Sequence, residues 1–139
     1  GSYDEIAREK KYGRRSRIDI LLSSPCRPAA YVEVKNVHFS RVPKLAEFPD
    51  TATKRGTKHL EELGDMVEAG HRAVMLYLVQ RQDCEMFRIC ADLDPVYALA
   101  FRRAVERGVE AYAVKCQVTP FEIRPCGLIP IDEPGIAAL

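Results

Sequence analysis

The strictest alternation in the chain is Tyr31-Val32-Glu33-Val34-Lys35, with Tyr31, Glu33 and Lys35 on one face and Val32 and Val34 on the other. Upstream, Arg17-Ile18-Asp19-Ile20-Leu21-Leu22 also alternates before ending in two leucines. These runs predict strands over 17–22 and 30–37, joined through Ser23–Ala29, which holds Pro25 and Pro28. With that connection centred on Cys26, an antiparallel hairpin sets Asp19 opposite Glu33. Ala7 to Tyr12 reads as a charged edge strand, turned into the hairpin by Gly13-Arg14-Arg15-Ser16. Residues 38–50 carry Pro43 and Pro49 and read as a long connection, too rich in proline for a central strand.

The second half changes period. Leu60, Leu63 and Val67 form a helical stripe within 50–70, with Asp50 and Thr51 as cap candidates and Gly70 as the stop. Ala73 to Val79 is apolar throughout, which predicts a strand buried on both faces. Strand, helix, buried strand implies a right-handed crossover and a parallel pair. A second helix is predicted from Asp94-Pro95 to Gly108, then a strand over Val109–Val118. In the tail from Thr119 to Leu139, only Leu128-Ile129 looks strand-like. The fold class is α/β, a mixed central sheet flanked by helices, read as one domain over 1–139.

Composition narrows the chemistry. A net charge of +1 gives no global basic field, but Arg8, Lys10, Lys11, Arg14, Arg15 and Arg17 form one basic group. Lys54, Arg55, Lys58 and His59 form another. The 5 cysteines contain no CxxC pair, which argues against zinc and for reduced thiols in a cytoplasmic protein. The longest apolar stretch, Ala73–Val79, is too short to span a membrane. Gly1-Ser2 reads as a cloning remnant, with the natural chain expected to begin further upstream.

Two carboxylates facing each other across a strand pair repel. A divalent cation between Asp19 and Glu33 turns that repulsion into attraction, and Mg²⁺ favours such oxygen ligands. The Val34 carbonyl offers another oxygen, and Lys35 stands beside any bound water or phosphate. This is equipment for phosphodiester hydrolysis, although an acid-x-lysine strand also fits a salt-bridged surface. Phe48 to Leu60 gathers hydroxyls, cations and an imidazole around a helix N-terminus, where anions bind. Arg55 and His59 stand i, i+4 on one helix face. Gln80 follows the buried strand, at the sheet end where α/β folds place ligands.

Ser16-Arg17-Ile18-Asp19, Val32-Glu33-Val34-Lys35-Asn36-Val37, Phe48-Pro49-Asp50, Arg55-Gly56-Thr57-Lys58-His59-Leu60, Gly70-His71-Arg72-Ala73-Val74 and Val79-Gln80-Arg81 together resemble the sugar fermentation stimulation protein A family. The resemblance runs from about Gly13 to about Pro130. It implies a DNA-binding protein whose C-terminal part is a PD-(D/E)XK restriction-endonuclease-like domain with an αβββαβ core. Asp19, Glu33 and Lys35 would then lie at a metal-dependent catalytic centre. No segment matches the family's N-terminal OB-like domain, and the first core helix would fall before Tyr3, so the expectation is either a piece of a longer protein or a shortened protein. Asn36 replaces a more usual serine, and Ser40–Glu47 is longer than the resemblance predicts.

The expected function is therefore a metal-dependent nuclease acting on DNA or RNA. Asp19, Glu33 and the Val34 carbonyl would hold Mg²⁺ or Mn²⁺, Lys35 would assist the attacking water and Gln80 would support the centre. Arg14, Arg15, Arg17, Lys54, Arg55, Lys58 and His59 would contact phosphates. The alternative is a non-catalytic DNA-binding transcriptional regulator of sugar utilisation that retains the nuclease fold. A third reading is an interaction domain with a solvated acidic strand. No membrane partner is expected, and a homo-oligomer is compatible with the sequence.

Overall fold

The computed structural model describes residues 3–12 and 16–136. Six strands form the main sheet: β1 (Glu5–Tyr12), β2 (Ser16–Ser24), β3 (Arg27–Val37), β6 (Arg72–Val79), β8 (Glu110–Val118) and β9 (Ile123–Ile129), in the order β1-β2-β3-β6-β8-β9. The first three make an antiparallel meander, and β3, β6 and β8 run parallel. Helix α1 (Lys54–Glu68) lies on the crossover from β3 to β6, and α2 (Pro95–Glu106) on that from β6 to β8. Three strands, a crossover helix and a parallel fourth strand are the βββαβ portion of the expected nuclease-like core. Among the described residues, no helix is long and apolar enough to cross a membrane.

The core lies between the sheet and the two helices. Ala73, Met75, Tyr77 and Val79 of β6 are buried against Leu60 and Leu63 of α1 and Tyr97 and Phe101 of α2. The opposite face of β6 carries Val74 and Leu76, which line a groove with Ile20, Leu22 and Val32. Apolar residues on both faces of a central parallel strand explain why Ala73–Val79 shows no alternation.

The hairpin is tighter than its prolines suggest. β2 runs to Ser24 and β3 starts at Arg27, so the turn needs only Pro25 and Cys26. The predicted register holds at Ile20↔Val32, Leu21↔Tyr31 and Leu22↔Ala30, and a bulge follows between Leu22 and Ser24.

Residues 38–50 differ more from expectation. They contain β4 (Phe39–Val42) and β5 (Leu45–Phe48), which join β7 (Met86–Ile89) in a second sheet of order β4-β5-β7. The prolines are spared because Pro43 occupies the turn and Pro49 follows β5. Helix α1 starts later than predicted: its cap is Thr53, whose Oγ1 accepts the Gly56 N–H at 3.0 Å. Asp94 caps α2 as expected, accepting the Tyr97 N–H at 3.0 Å. Strand β9 extends well before Leu128-Ile129, with Pro125 tolerated beside a register shift opposite Cys116. All five cysteines are free thiols; Cys84, Cys90 and Cys116 are buried, while Cys26 and Cys126 are exposed.

Candidate metal and catalytic centre

Asp19 has no ladder partner although the strand it sits on is continuous. The β1–β2 ladder passes from Arg8↔Ile20 to Lys10↔Ile18, and the β2–β3 ladder stops at Ile20↔Val32. Asp19 is skipped by both. Glu9, at the skipped step on β1, has φ +52°, a left-handed conformation that disfavours side chains. The irregularity also explains Ile18, which is fully buried in the helix-side core although simple alternation puts it with Ile20. In place of a ladder pairing, Asp19 Oδ2 accepts the Val34 N–H at 2.7 Å. The expected Asp19–Glu33 cross-strand pair is thus replaced by a carboxylate seated on the backbone next to Glu33.

Glu33 points into the helix side of the sheet and is only 3 % exposed. Its Oε1 lies 3.2 Å from His59 Nδ1 and 3.7 Å from Lys35 Nζ. Lys35 Nζ is itself 3.1 Å from His59 Nδ1, and its side chain is 18 % exposed. Glu33 Oε2 is buried and has no hydrogen-bond partner among the described residues. Such an atom carries a desolvation cost of about 1–3 kcal/mol, more when charged.

The position of His59 depends on how α1 is seated. Asp94 Oδ2 accepts the Thr53 N–H at 2.8 Å while its other oxygen caps α2, so one carboxylate fixes both helix N-termini. Gly56 lets the first turn of α1 close on α2: a Cβ there would meet Thr53 Cγ2 at 2.8 Å and Tyr97 Cε2 at 3.0 Å. Behind this contact the Tyr77 and Tyr97 hydroxyls meet at 2.6 Å. Burial holds both phenols above their ordinary range, and the nearby Glu33 charge acts in the same direction on Tyr97.

The remaining predicted residues are spread around this group. Gln80 donates its backbone N–H to the Val37 carbonyl and its Nε2 to Asn36 Oδ1, both at 2.9 Å. It therefore stands at the end of β6, beside the residue that follows Lys35. Val34, which lends its amide to Asp19, lies opposite Leu76 in the β3–β6 ladder. Arg17, Lys54, Arg55 and Lys58 are exposed, with Lys58 Nζ 3.6 Å from Glu62 Oε1. Arg14 and Arg15 lie outside the described residues.

His59 corrects an expectation. Placed by sequence with Arg55 among the phosphate contacts, it is 5 % exposed and turned inward. Its spacing carried the signal: Gly56, His59, Leu60 and Leu63 fall at i, i+3, i+4 and i+7 and all are buried.

The sequence missed a second acidic cluster. Glu47, Cys90 and Asp92 offer ligand atoms within 4.8 Å of one another. Arg41 occupies it, donating to Glu47 Oε1 at 2.9 Å and Oε2 at 2.8 Å, and to Asp92 Oδ2 at 2.6 Å and Oδ1 at 2.8 Å. The Arg41 hydrogen bonds hold both carboxyls below their ordinary range, and burial pushes the Cys90 thiol up to about 11. The cluster is a closed ion network tying β4, β5 and the segment after β7. Arg41 and Glu47 fall in the stretch read as a connection, so no periodic signal drew attention to them.

The family model described as "Sugar fermentation stimulation protein RE domain" matches residues 1–122. The chain is similar to the sugar fermentation stimulation protein homolog of Rhizobium rhizogenes, 69 % identical over 139 residues, covering 100 % of this chain and 56 % of the relative. It is 72 % identical over 131 residues to the homolog of Agrobacterium fabrum, covering 94 % and 55 %. The chain thus spans about half the length of the curated relatives it matches. Among solved structures, Pyrococcus furiosus SfsA in complex with Ca²⁺ matches with a TM-score of 0.83 and 27 % identity, over 91 % of this chain and 54 % of that one.

Proposed function

Because the chain belongs to the sugar fermentation stimulation protein family, we propose that it binds DNA and carries a metal-dependent, nuclease-type centre built on Asp19, Glu33 and Lys35. The observation that carries this reading is Glu33 Oε2, a carboxylate oxygen buried without a hydrogen-bond partner. A divalent cation is the partner such an oxygen lacks. The related Pyrococcus furiosus protein was solved in complex with Ca²⁺, a hard cation that shares the oxygen preference of Mg²⁺ and Mn²⁺.

Asp19 and Glu33 would hold the ion, with the Val34 carbonyl as a further oxygen. When bound, Mg²⁺ or Mn²⁺ supplies polarisation of a phosphoryl oxygen and acidification of a coordinated water. The chain's own groups would do the rest. Asp19 is oriented through the Val34 amide, so its position is set by β3, the strand that carries Glu33. Lys35 keeps a cation at the edge of the buried group, where it would offset charge developing on the phosphate. Gln80, braced by Asn36, would orient a water or phosphate oxygen from the end of β6. The exposed Arg17, Lys54, Arg55 and Lys58 would run the backbone of the nucleic acid past the centre. Free thiols suit action in the cytoplasm.

The test compares wild type, Asp19→Asn and Lys35→Ala on single- and double-stranded DNA, and on RNA, with Mg²⁺ or Mn²⁺. A full-length relative is run in parallel because this chain is about half its length. Cleavage by wild type and by neither variant is the expected result. Salt-sensitive binding without cleavage under any metal would replace the nuclease reading with the non-catalytic DNA-binding regulator. Absence of any calorimetric or thermal response to either ion would overturn the metal centre itself.

A further inference from the structure

We infer that His59 is a positioning residue of this centre: its Nδ1, which donates to Glu33 Oε1 or accepts from Lys35 Nζ according to its tautomer, holds this pair on one carboxylate oxygen and leaves Glu33 Oε2 open to a divalent cation. The inference rests on the metal-centre reading above and adds to it a residue from outside the acid-acid-lysine set.

The argument is geometric. A glutamate side chain has three rotatable bonds, and polar contacts select among the rotamers that backbone and packing allow. Here one ring nitrogen touches both partners, 3.2 Å from Glu33 Oε1 and 3.1 Å from Lys35 Nζ. Both contacts of Glu33 fall on the same oxygen, since Lys35 Nζ also approaches Oε1, at 3.7 Å. Oε2 is left without a protein partner while remaining buried. Without the imidazole, Glu33 would keep only the 3.7 Å approach of Lys35, and the direction in which its open oxygen points would no longer be set.

The imidazole is itself held firmly. His59 lies in the second turn after the Thr53 cap, and that cap is tied to Asp94 and packed through Gly56 on Tyr97. Its ring is 5 % exposed, so it does not meet solvent as a phosphate contact would. Residues that orient a metal-binding carboxylate in this way carry affinity although they do not touch the ion.

The test is a calorimetric titration of the whole chain with Mn²⁺, using wild type, His59→Leu and His59→Asn. Asparagine places an amide at the position of Nδ1, whereas leucine fills the space without a polar atom. His59→Leu should weaken Mn²⁺ binding about 10–100-fold, and His59→Asn should recover it to within about threefold of wild type. Melting temperatures without metal monitor folding. If His59→Leu does not fold, His59→Gln, whose amide sits one bond farther out, takes its place and should stay weak. Wild-type affinity in His59→Leu, or a His59→Asn no better than His59→Leu, would overturn the inference while leaving the centre standing. A wild type that binds no Mn²⁺ would overturn both readings.

Discussion

Replacing Asp19 by asparagine separates its charge from its hydrogen bond. Asparagine keeps a carbonyl oxygen where Oδ2 accepts the Val34 N–H at 2.7 Å, so the irregular strand retains its anchor. A hydrogen bond to a charged group contributes about 1.5–3 kcal/mol and one to a neutral group about 0.5–1.5 kcal/mol. The metal-free Asp19→Asn chain should therefore be about 1 kcal/mol less stable than wild type. Asp19→Ala removes the acceptor and leaves the Val34 N–H unpaired at a half-buried position, for a loss of about 2–3 kcal/mol. The ordering changes when metal is added. At 100 times its dissociation constant, an ion that binds only the folded chain stabilises it by about 2.7 kcal/mol. Wild type should show that gain and Asp19→Asn almost none, because one of two carboxylates has lost its charge. Urea unfolding with and without Mn²⁺ measures both quantities on the same samples. The reasoning fails if Asp19→Asn keeps the full metal-dependent gain, or if Asp19→Ala matches Asp19→Asn without metal.

Two alanine substitutions in α1 should differ in outcome. Gly56→Ala gains about 1 kcal/mol of helix propensity but forces a methyl into Thr53 and Tyr97, at a cost of about 1–3 kcal/mol with the cap disturbed as well; it should destabilise the fold and weaken Mn²⁺ binding by lifting His59. Gly64→Ala meets the Arg107 guanidinium first, the far end of a flexible side chain, so the propensity gain and the loosened surface pairs with Asp65 and Glu68 should cancel to within about 0.5 kcal/mol. Urea midpoints of the two variants check the contrast. Acid should unfold the chain through its arginine-bound carboxylates: Glu47 and Asp92 with Arg41, Glu110 with Arg72 and Asp83 with Arg81 all titrate below their ordinary range, chiefly through those arginine hydrogen bonds. Their contribution is complete above the unfolded carboxyl range near pH 4 and is lost as pH falls through the lower folded values. Glu133, raised by burial, opposes this weakly. Arg41→Met should flatten the acid limb of a pH-stability curve, and an unchanged limb would show that the Arg41 network contributes nothing to it.

Periodicity made the sheet legible. Alternation in 17–22 and 30–37 fixed the hairpin register, and the apolar run at 73–79 placed β6 at the centre, because each pattern reports a burial that the whole sheet enforces. Three features were less legible, for separate reasons. The second sheet uses strands of four residues with prolines just outside them, too short for alternation to accumulate. The missing pairings at Asp19 depend on a side chain replacing a ladder bond, which leaves no mark on the apolar pattern. His59 was misread because a histidine on an amphipathic helix fits either face, and the Gly56-His59-Leu60-Leu63 spacing decides for the inner one only when glycine is counted as a packing residue.

The contrast between the two acidic clusters bears most directly on function. Glu47 is buried like Glu33, but both of its oxygens are taken by Arg41, which also satisfies Asp92. An acid whose role is structural is expected to end up this way, since an unpaired buried charge costs several kcal/mol and arginine answers it in two bonds. Glu33 has a lysine and a histidine within reach, yet both approach the same oxygen. The backbone nearby is irregular too: Glu9 has a positive φ within a strand and Asp19 is absent from both ladders, whereas Lys44, the other non-glycine with positive φ among the described residues, sits in a tight turn where that conformation is ordinary. Unsatisfied valence and local strain in one place, in a chain able to close its other acidic cluster completely, are expected where a further partner completes the group. On the proposed reading, two carboxylates beside a lysine would make that partner a hard divalent cation rather than another side chain.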